Sequence, residues 1–214
     1  MTAPVLAYLH NGTFSQLTTF RDPALAPYRI REVYLPDMQP GDLDDVDGLI
    51  VADRIHSGLL RRHAEDILRV AHRGGVLVVF GENWVHTWMP DVVWEPGVTN
   101  FWWWRTGEDH GMRPRNLQDP AWEFFSEGSL IWHHHGTLTP PAGAVPLVAV
   151  EEDGVDIGCI AYVDRVSTAG EILVTTPDPC FHHGAAFMKG ATQLLYSAVR
   201  WVDHRTRALA AVQA

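Results

Sequence analysis

Residues 74–84, Gly-Gly-Val-Leu-Val-Val-Phe-Gly-Glu-Asn-Trp, constrain the fold more than any other part of the chain. An unbroken apolar run, 76–80, is flanked by glycines. A strand that is apolar at every position, rather than at alternate ones, is buried on both faces. That is the condition of a parallel sheet covered by helices. The run closes at Gly81, and a carboxylate, Glu82, follows at the turn. Ligands of α/β sheets sit outside the carboxyl ends of such strands. Where a turn of this kind serves nucleophilic chemistry it presents Ser or Cys; here the position is Glu82.

The residues before this run supply the partners a parallel sheet needs. Strands read at 5–9, 30–35 and 47–53 end in the polar turns His10-Asn11-Gly12, Pro36-Asp37 and Asp53-Arg54-Ile55-His56. Between the third run and 76–80, Leu59, Leu60, Ala64, Ile67, Leu68 and Ala71 recur at spacings of three and four, which predicts a helix over 57–72. Ser57 is placed to cap it and Gly74-Gly75 to stop it. Strand–helix–strand spacing of this kind predicts parallel pairing with right-handed crossovers.

The middle, about 84–141, is dense in Trp, Pro, Gly and charge and has little periodicity. It reads as a long irregular insertion, the form of a lid or binding loop. Within it a short helix is expected at 120–126, capped by Asp119, and a strand at 130–132. The last third predicts strands at 146–150, 157–163 and 171–176, with a hairpin turn at 151–154, then a helix over 184–204 and a frayed tail after Arg205.

Composition excludes several functions. A net charge of −10 and a single lysine, Lys189, leave no basic stripe for a nucleic-acid backbone. No run of 18 apolar residues offers a membrane span. Residues 1–4 lack the basic start of a signal peptide. Two cysteines, Cys159 and Cys180, make no disulfide framework, so a reduced, cytoplasmic protein is expected. With 214 residues and 46% apolar content, one domain over 1–214 with a sizeable core is expected.

The chain also carries 9 Trp and 12 His, residue types suited to ligand faces and to proton or metal chemistry. Glu82 at the strand end reads either as a general acid/base or metal ligand, or as a charge that satisfies a helix start. His182 and His183 follow a loop stiffened by Pro177 and Pro179; adjacent residues point apart, so one of them could face a site there, the alternative being a satisfied polar contact at the helix start. In His133-His134-His135, alternation places His133 and His135 on one face. Two of them with a carboxylate could hold a metal, yet no recognised ligand spacing such as HExxH is present, so no metal ligands are assigned. Asn100-Phe101-Trp102-Trp103-Trp104-Arg105 offers flat rings and a guanidinium. These suit a sugar pocket, a subunit interface in a homo-oligomer, or a plug over the core. Asp53 is assigned mainly to capping.

The order of these pieces resembles the class I glutamine-amidotransferase-like superfamily, in its trehalose-utilisation (ThuA-like) branch. The resemblance rests on the strands at 5–9 and 47–52, the helix before Gly74-Gly75, the run 76–80 turning at Gly81-Glu82, and the strand 171–176 leading to His182-His183 and a final helix. The loop at about 84–132 has no counterpart. The resemblance implies a flavodoxin-like three-layer α/β sandwich with a mostly parallel central sheet and a Trp-rich insertion. Active relatives carry Cys in a Gly-x-Cys-x-Gly turn and a His-x-Glu pair after the late strand. Here these are Gly81-Glu82-Asn83 and His182-His183-Gly184, so thioester glutamine hydrolysis is not expected. The reading is an amidotransferase-like protein that acts on or binds a small polar ligand, for which a carbohydrate is the candidate. Glu82 and His182 would do acid–base work, and Trp102, Trp104, Arg105, His133, His135 and Asn11 would bind. The residues specify no cofactor. The alternative is a non-catalytic sensing or assembly module of the same fold.

Overall fold

In a computed structural model, residues 3–99 and 101–213 are described. Met1 and Thr2 of the N-terminal reading and Asn100 of the aromatic string lie outside the described residues. In chain order the first part comprises β1 (Leu6–His10), α1 (Phe14–Phe20), β2 (Arg31–Tyr34), β3 (Gly48–Val51), α2 (Ser57–Arg62), α3 (Ala64–His72) and β4 (Val76–Val79). The rest comprises β5 (Val93–Val98), α4 (Trp103–Thr106), β6 (Met112–Pro114), α5 (Glu127–Leu130), β7 (His135–Thr139), β8 (Val145–Glu152), β9 (Val155–Asp164), β10 (Glu171–Thr175), α6 (Pro179–Gly184) and α7 (Lys189–Gln213).

One sheet runs β2-β1-β3-β4-β10-β9-β7-β5, with β8 on β9 and β6 on β8. Its first five strands are parallel. Every residue of β1, β3, β4 and β10 is buried, so both faces of this half are covered. The contacts group α1, α6 and α7 in one layer, while α3 packs on the same strands β3 and β4 that α7 covers. Buried Trp201, Val202 and Ala198 of α7 and Ile67, Val70 and Ala71 of α3 supply the two apolar faces. The continuous apolar runs thus become central strands because helices close over both sides.

The sheet is mixed rather than mostly parallel. All pairings of β5 through β9, including β9 with β10, are antiparallel. The reason is connection length. The β8–β9 turn is Asp153-Gly154, both at positive φ (50° and 80°), a two-residue hairpin turn that forces antiparallel pairing. Only six residues link β9 to β10, too few for a crossover helix. The segment 84–141 is also less irregular than expected, since it contributes β5, β6 and β7. β5 is an exposed edge strand carrying Pro96, where a missing donor costs no ladder bond.

Other departures have local causes. The helix over 57–72 breaks at His63 into α2 and α3, and its cap is His56, whose Nδ1 accepts from the Gly58 amide at 3.1 Å. At 120–126 a 3-10 turn forms over Pro120–Glu123, with Asp119 accepting from the Ala121 amide. No strand forms at 130–132: Leu130 closes α5, and the Trp132 indole donates back to Ser129 O. Residues 179–184 form the separate helix α6, and α7 continues past Arg205 to Gln213. There Arg205 is paired with buried Glu171 at the start of β10, which ties the final helix to the sheet.

Among the glycines of the described residues, Gly81 leaves the least room for a side chain. A Cβ there would lie 1.7 Å from Thr176 O, and its amide donates to Pro177 O at 3.0 Å. The exits of β4 and β10 are thereby stapled together. Gly81→Ala is expected to cost at least about 2 kcal/mol in denaturant unfolding, whereas Gly97→Ala on exposed β5 should cost less than about 1 kcal/mol. Equal midpoints for the two variants would contradict the staple.

Candidate functional site

The carboxyl ends of β1, β3, β4 and β10 share one rim, and each delivers polar groups to it. β3 runs into Asp53-Arg54 and β4 into Gly81-Glu82-Asn83. Arg54 (φ 57°) and Glu82 (φ 56°) both take the left-handed conformation, which is unfavourable for residues with a Cβ. The β4 exit therefore keeps the sharp strained turn of an elbow, with Glu82 at its apex. Asn83 locks it from below: its Nδ2 donates to Ala52 O and Phe80 O, and its Oδ1 accepts from the Ile55 amide.

After β10, Pro177 and Pro179 hold Asp178 just ahead of α6. Its carboxylate is fully buried and divided between two sets of partners. Oδ2 takes Arg54 Nε at 2.8 Å and Nη2 at 2.7 Å. Oδ1 faces three imidazoles: His133 Nε2 at 3.1 Å, His182 Nε2 at 3.1 Å and His135 Nε2 at 3.3 Å. His133 and His182 stand 3.0 Å apart through their Nε2 atoms. Glu82 joins from the outside, with Oε2 2.7 Å from Arg54 Nε and Oε1 3.0 Å from His135 Nδ1. The Arg54 guanidinium also lies 3.8 Å over the Phe181 ring.

Burial alone would push the Asp178 carboxyl upward. The close imidazoles of His133, His135 and His182 more than offset it and hold Asp178 well below the usual carboxylate range. Asp53 goes the other way, raised by complete burial and then by the charge of Asp178. Its Oδ2 accepts the Cys180 and Phe181 amides at 2.5 and 3.1 Å, so Asp53 caps the first turn of α6 across the sheet rather than its own helix. Burial lowers His133, and His134 to about 4. Burial raises the thiols too, Cys159 to about 12 and Cys180 well above its ordinary value, so neither is a ready thiolate.

Beside this network opens a cleft of about 770 Å³, lined by Asn11, Arg54, Glu82, Trp84, Trp94 and His135 among others. The structure thus brings Glu82, His133, His135 and His182 together through Asp178. Asn11 lies on the cleft wall with its Oδ1 buried and without a hydrogen bond among the described residues. His134 points elsewhere and bonds Gly136 O. The described lining residues do not include Trp102, Trp104 or Arg105. Those two rings are more than half exposed, and the Arg105 guanidinium lies 4.9 and 4.6 Å from their centroids. Phe101 covers the histidines instead, 5.1 Å from the His133 ring. The physical reason is anchoring: the Trp103 indole donates to Trp132 O, which turns its neighbours on α4 outward.

Sequence reasoning missed Asp178, Arg54, Trp84 and Trp94. A signal existed for Asp178: it precedes a helix by one residue and stands four before His182, a spacing that puts both on one helical face. Arg54 and the two Trp carried no comparable pattern.

No family model matches the sequence, and no curated protein is significantly similar to it. Solved structures do align along its length. A glutamine amidotransferase from Thermotoga maritima superposes with a TM-score of 0.54 at 9% identity, covering 98% of this chain and 97% of its own. The chain has the glutamine-amidotransferase-like fold. A cytoplasmic protein from Salmonella typhimurium superposes at 0.52 with 13% identity, covering 92% of this chain and 98% of its own. A protein described as ThuA-like, from Bacteroides uniformis, gives 0.47 at 11% identity, covering 94% and 93%. Among the described residues no helix is long and apolar enough to cross a membrane.

The Asp53 cap yields a stability prediction. Asp53→Ala removes the acceptor for two buried amides and should cost about 1–3 kcal/mol in denaturant unfolding. Asp53→Asn keeps an accepting oxygen and should cost less than half as much. An Asn variant as unstable as the Ala variant would show that the cap is not the role of this residue.

Proposed function

We propose that this chain uses the amidotransferase-like fold without glutaminase chemistry, to bind and transform a small polar ligand in the cleft beside Glu82. The observation that carries this reading is the Glu82 carboxylate on the cleft wall, held in a strained turn between Arg54 and His135. The volume is that of a small-molecule site. A proton can pass between Glu82 Oε1 and His135 Nδ1 across 3.0 Å, which makes this pair the acid–base candidate. His182 sits behind it, buried, and acts on the pair through Asp178 rather than on a ligand.

A carbohydrate is the favoured ligand class. Trp84 and Trp94 stand on the cleft wall, 5.1 Å between ring centroids, and His86 stacks on Trp94 at 5.5 Å. Flat aromatic faces suit the apolar faces of sugar rings, while Asn11, Arg54 and Glu82 offer polar partners to hydroxyls. These Trp residues take the role first expected of Trp102 and Trp104.

Glutaminase chemistry has no nucleophile here. The elbow carries Glu82, and both thiols are buried and held protonated. Purified protein is expected to release no ammonia from glutamine; release that disappears in a Cys180→Ala variant would refute this. For the ligand, saturation-transfer NMR against a panel of hexoses, disaccharides and sugar acids is expected to find a binder. Trp94→Ala should weaken that binding about tenfold or more, the scale of a lost stacking contact. Glu82→Gln should abolish turnover while leaving binding within about tenfold. A panel with no binder, or binding indifferent to Trp94→Ala, would sink the carbohydrate reading.

A further inference from the structure

We propose that His133, His135, Asp178 and His182 form a binding site for a first-row divalent transition-metal ion, with Zn²⁺ as the reference ion. The four residues come from two places that the fold brings together: the loop leading into β7, and the start of α6 with the residue before it. Each offers one ligand atom, and these atoms all lie within 4.8 Å of one another. Three imidazoles with one carboxylate are a donor set that suits zinc and its neighbours in the first row, and not magnesium or calcium.

The separations fit a shared ion. Asp178 Oδ1 is 3.1, 3.1 and 3.3 Å from the three ring nitrogens, and His133 Nε2 is 3.0 Å from His182 Nε2. Tetrahedral bonds of about 2.0–2.1 Å place neighbouring donors about 3.3–3.5 Å apart, so these four contacts would open by up to about 0.5 Å while any wider pair, at most 4.8 Å, draws in. Hydrogen bonding explains the same geometry poorly. An imidazole nitrogen has one direction in which to donate or accept. Three of them cannot all donate to one oxygen while two of them also face each other at 3.0 Å. His135 Nε2 already makes no hydrogen bond of acceptable geometry among the described residues, although it is buried. A cation at the convergence point gives every ring one lone pair to direct at it.

The surroundings are those of a supported metal site. Asp178 binds through Oδ1 alone, because Oδ2 is held by two nitrogens of Arg54. His135 presents Nε2 to the cluster and sets Nδ1 3.0 Å from Glu82 Oε1, the placement of a carboxylate–histidine–metal arrangement, in which the outer carboxylate would fix the tautomer and ring orientation. Two carboxylates against one guanidinium leave the group net negative, as a dication needs. Trp132 packs edge-on against the His133 and His182 rings, and Phe101 against the His133 ring, so the rings are fixed from the apolar side. His135 and Glu82 also line the cleft, so an ion here would stand one ring away from the ligand.

The site deepens the ligand reading above, but rests on it only for where a ligand sits. Metal binding and sugar binding are separate measurements and can fail separately. The test uses the full chain, stripped with a chelator and titrated with Co²⁺ while the visible d–d absorption is followed, then with Zn²⁺ in competition. One equivalent of Co²⁺ per chain is expected, with an intense band that Zn²⁺ displaces. His133→Ala and His182→Gln should each weaken binding at least about 100-fold, beyond the about 10–100-fold expected of an outer partner in Glu82→Gln. His72→Ala, on the exposed face of α3, should leave binding unchanged. Asp178→Asn tests the carboxylate only if circular dichroism shows it folded; His135→Ala serves otherwise. No saturable binding, or binding that survives both His133→Ala and His182→Gln, would overturn the proposal.

Discussion

The Asp178 carboxylate is the group on which the rest of the site depends. A buried charge is costly unless it is paired and fully hydrogen-bonded. Asp178 approaches that condition by drawing on the ends of distant segments: it is hydrogen-bonded by Arg54 after β3 and His133 before β7, and closely faced by His135 at the start of β7 and His182 on α6. None of these residues can leave without stranding the others in a water-poor environment. The elements therefore hold one geometry at the rim, even though two of the residues there, Arg54 and Glu82, sit in an unfavourable backbone conformation. That strain is tolerated because Gly81 lets the β4 exit touch the β10 exit, and because Asn83 and Asp53 satisfy the amides and carbonyls that the tight turns expose.

The same physics explains why the β10 end of the sheet became the functional edge. On one side of β10 lies β4, parallel and buried; on the other lies β9, antiparallel and continuing into the β7–β5 extension. The change of direction leaves a crevice between the β4 and β10 exits and the loop that enters β7. Ligand sites of α/β sheets form at such discontinuities. Trp84 and Trp94 wall the crevice from the segment that follows β4, and the buried imidazoles close it from behind.

Much of the parallel half was legible in the sequence. Continuous apolar runs mark strands covered on both faces, and the runs at 47–53 and 76–80 correspond to β3 and β4. Glu82 could be placed at the rim because it directly follows such a run, while its role stayed open between acid–base or metal chemistry and a helix-start charge. His133 and His135 could be paired from alternation alone, although the strand expected before them is a helix end. What could not be read was whatever depends on distant chain segments meeting. Asp178 and Arg54 find each other across 124 residues, and no local pattern encodes that. In the antiparallel half β8 and β9 were legible, whereas β5 and β6 were missed because they are short and carry Pro96, Gly97 and Pro114, which weaken periodicity. The Trp102–Arg105 string misled for a related reason: aromatic density is visible in a sequence, but the single indole bond that turns Trp103 inward and its neighbours outward is not.

The central claim is that one buried carboxylate gathers three histidines and an arginine into a single centre. A crystal structure of the protein grown with Zn²⁺, with anomalous differences recorded across the zinc edge, tests it most directly. The account predicts one strong peak about 2.0–2.2 Å from Asp178 Oδ1 and from Nε2 of His133, His135 and His182, with Arg54 still on Asp178 Oδ2. A peak elsewhere with these four residues apart, or an Asp178 carboxylate turned away from the three rings, would contradict it.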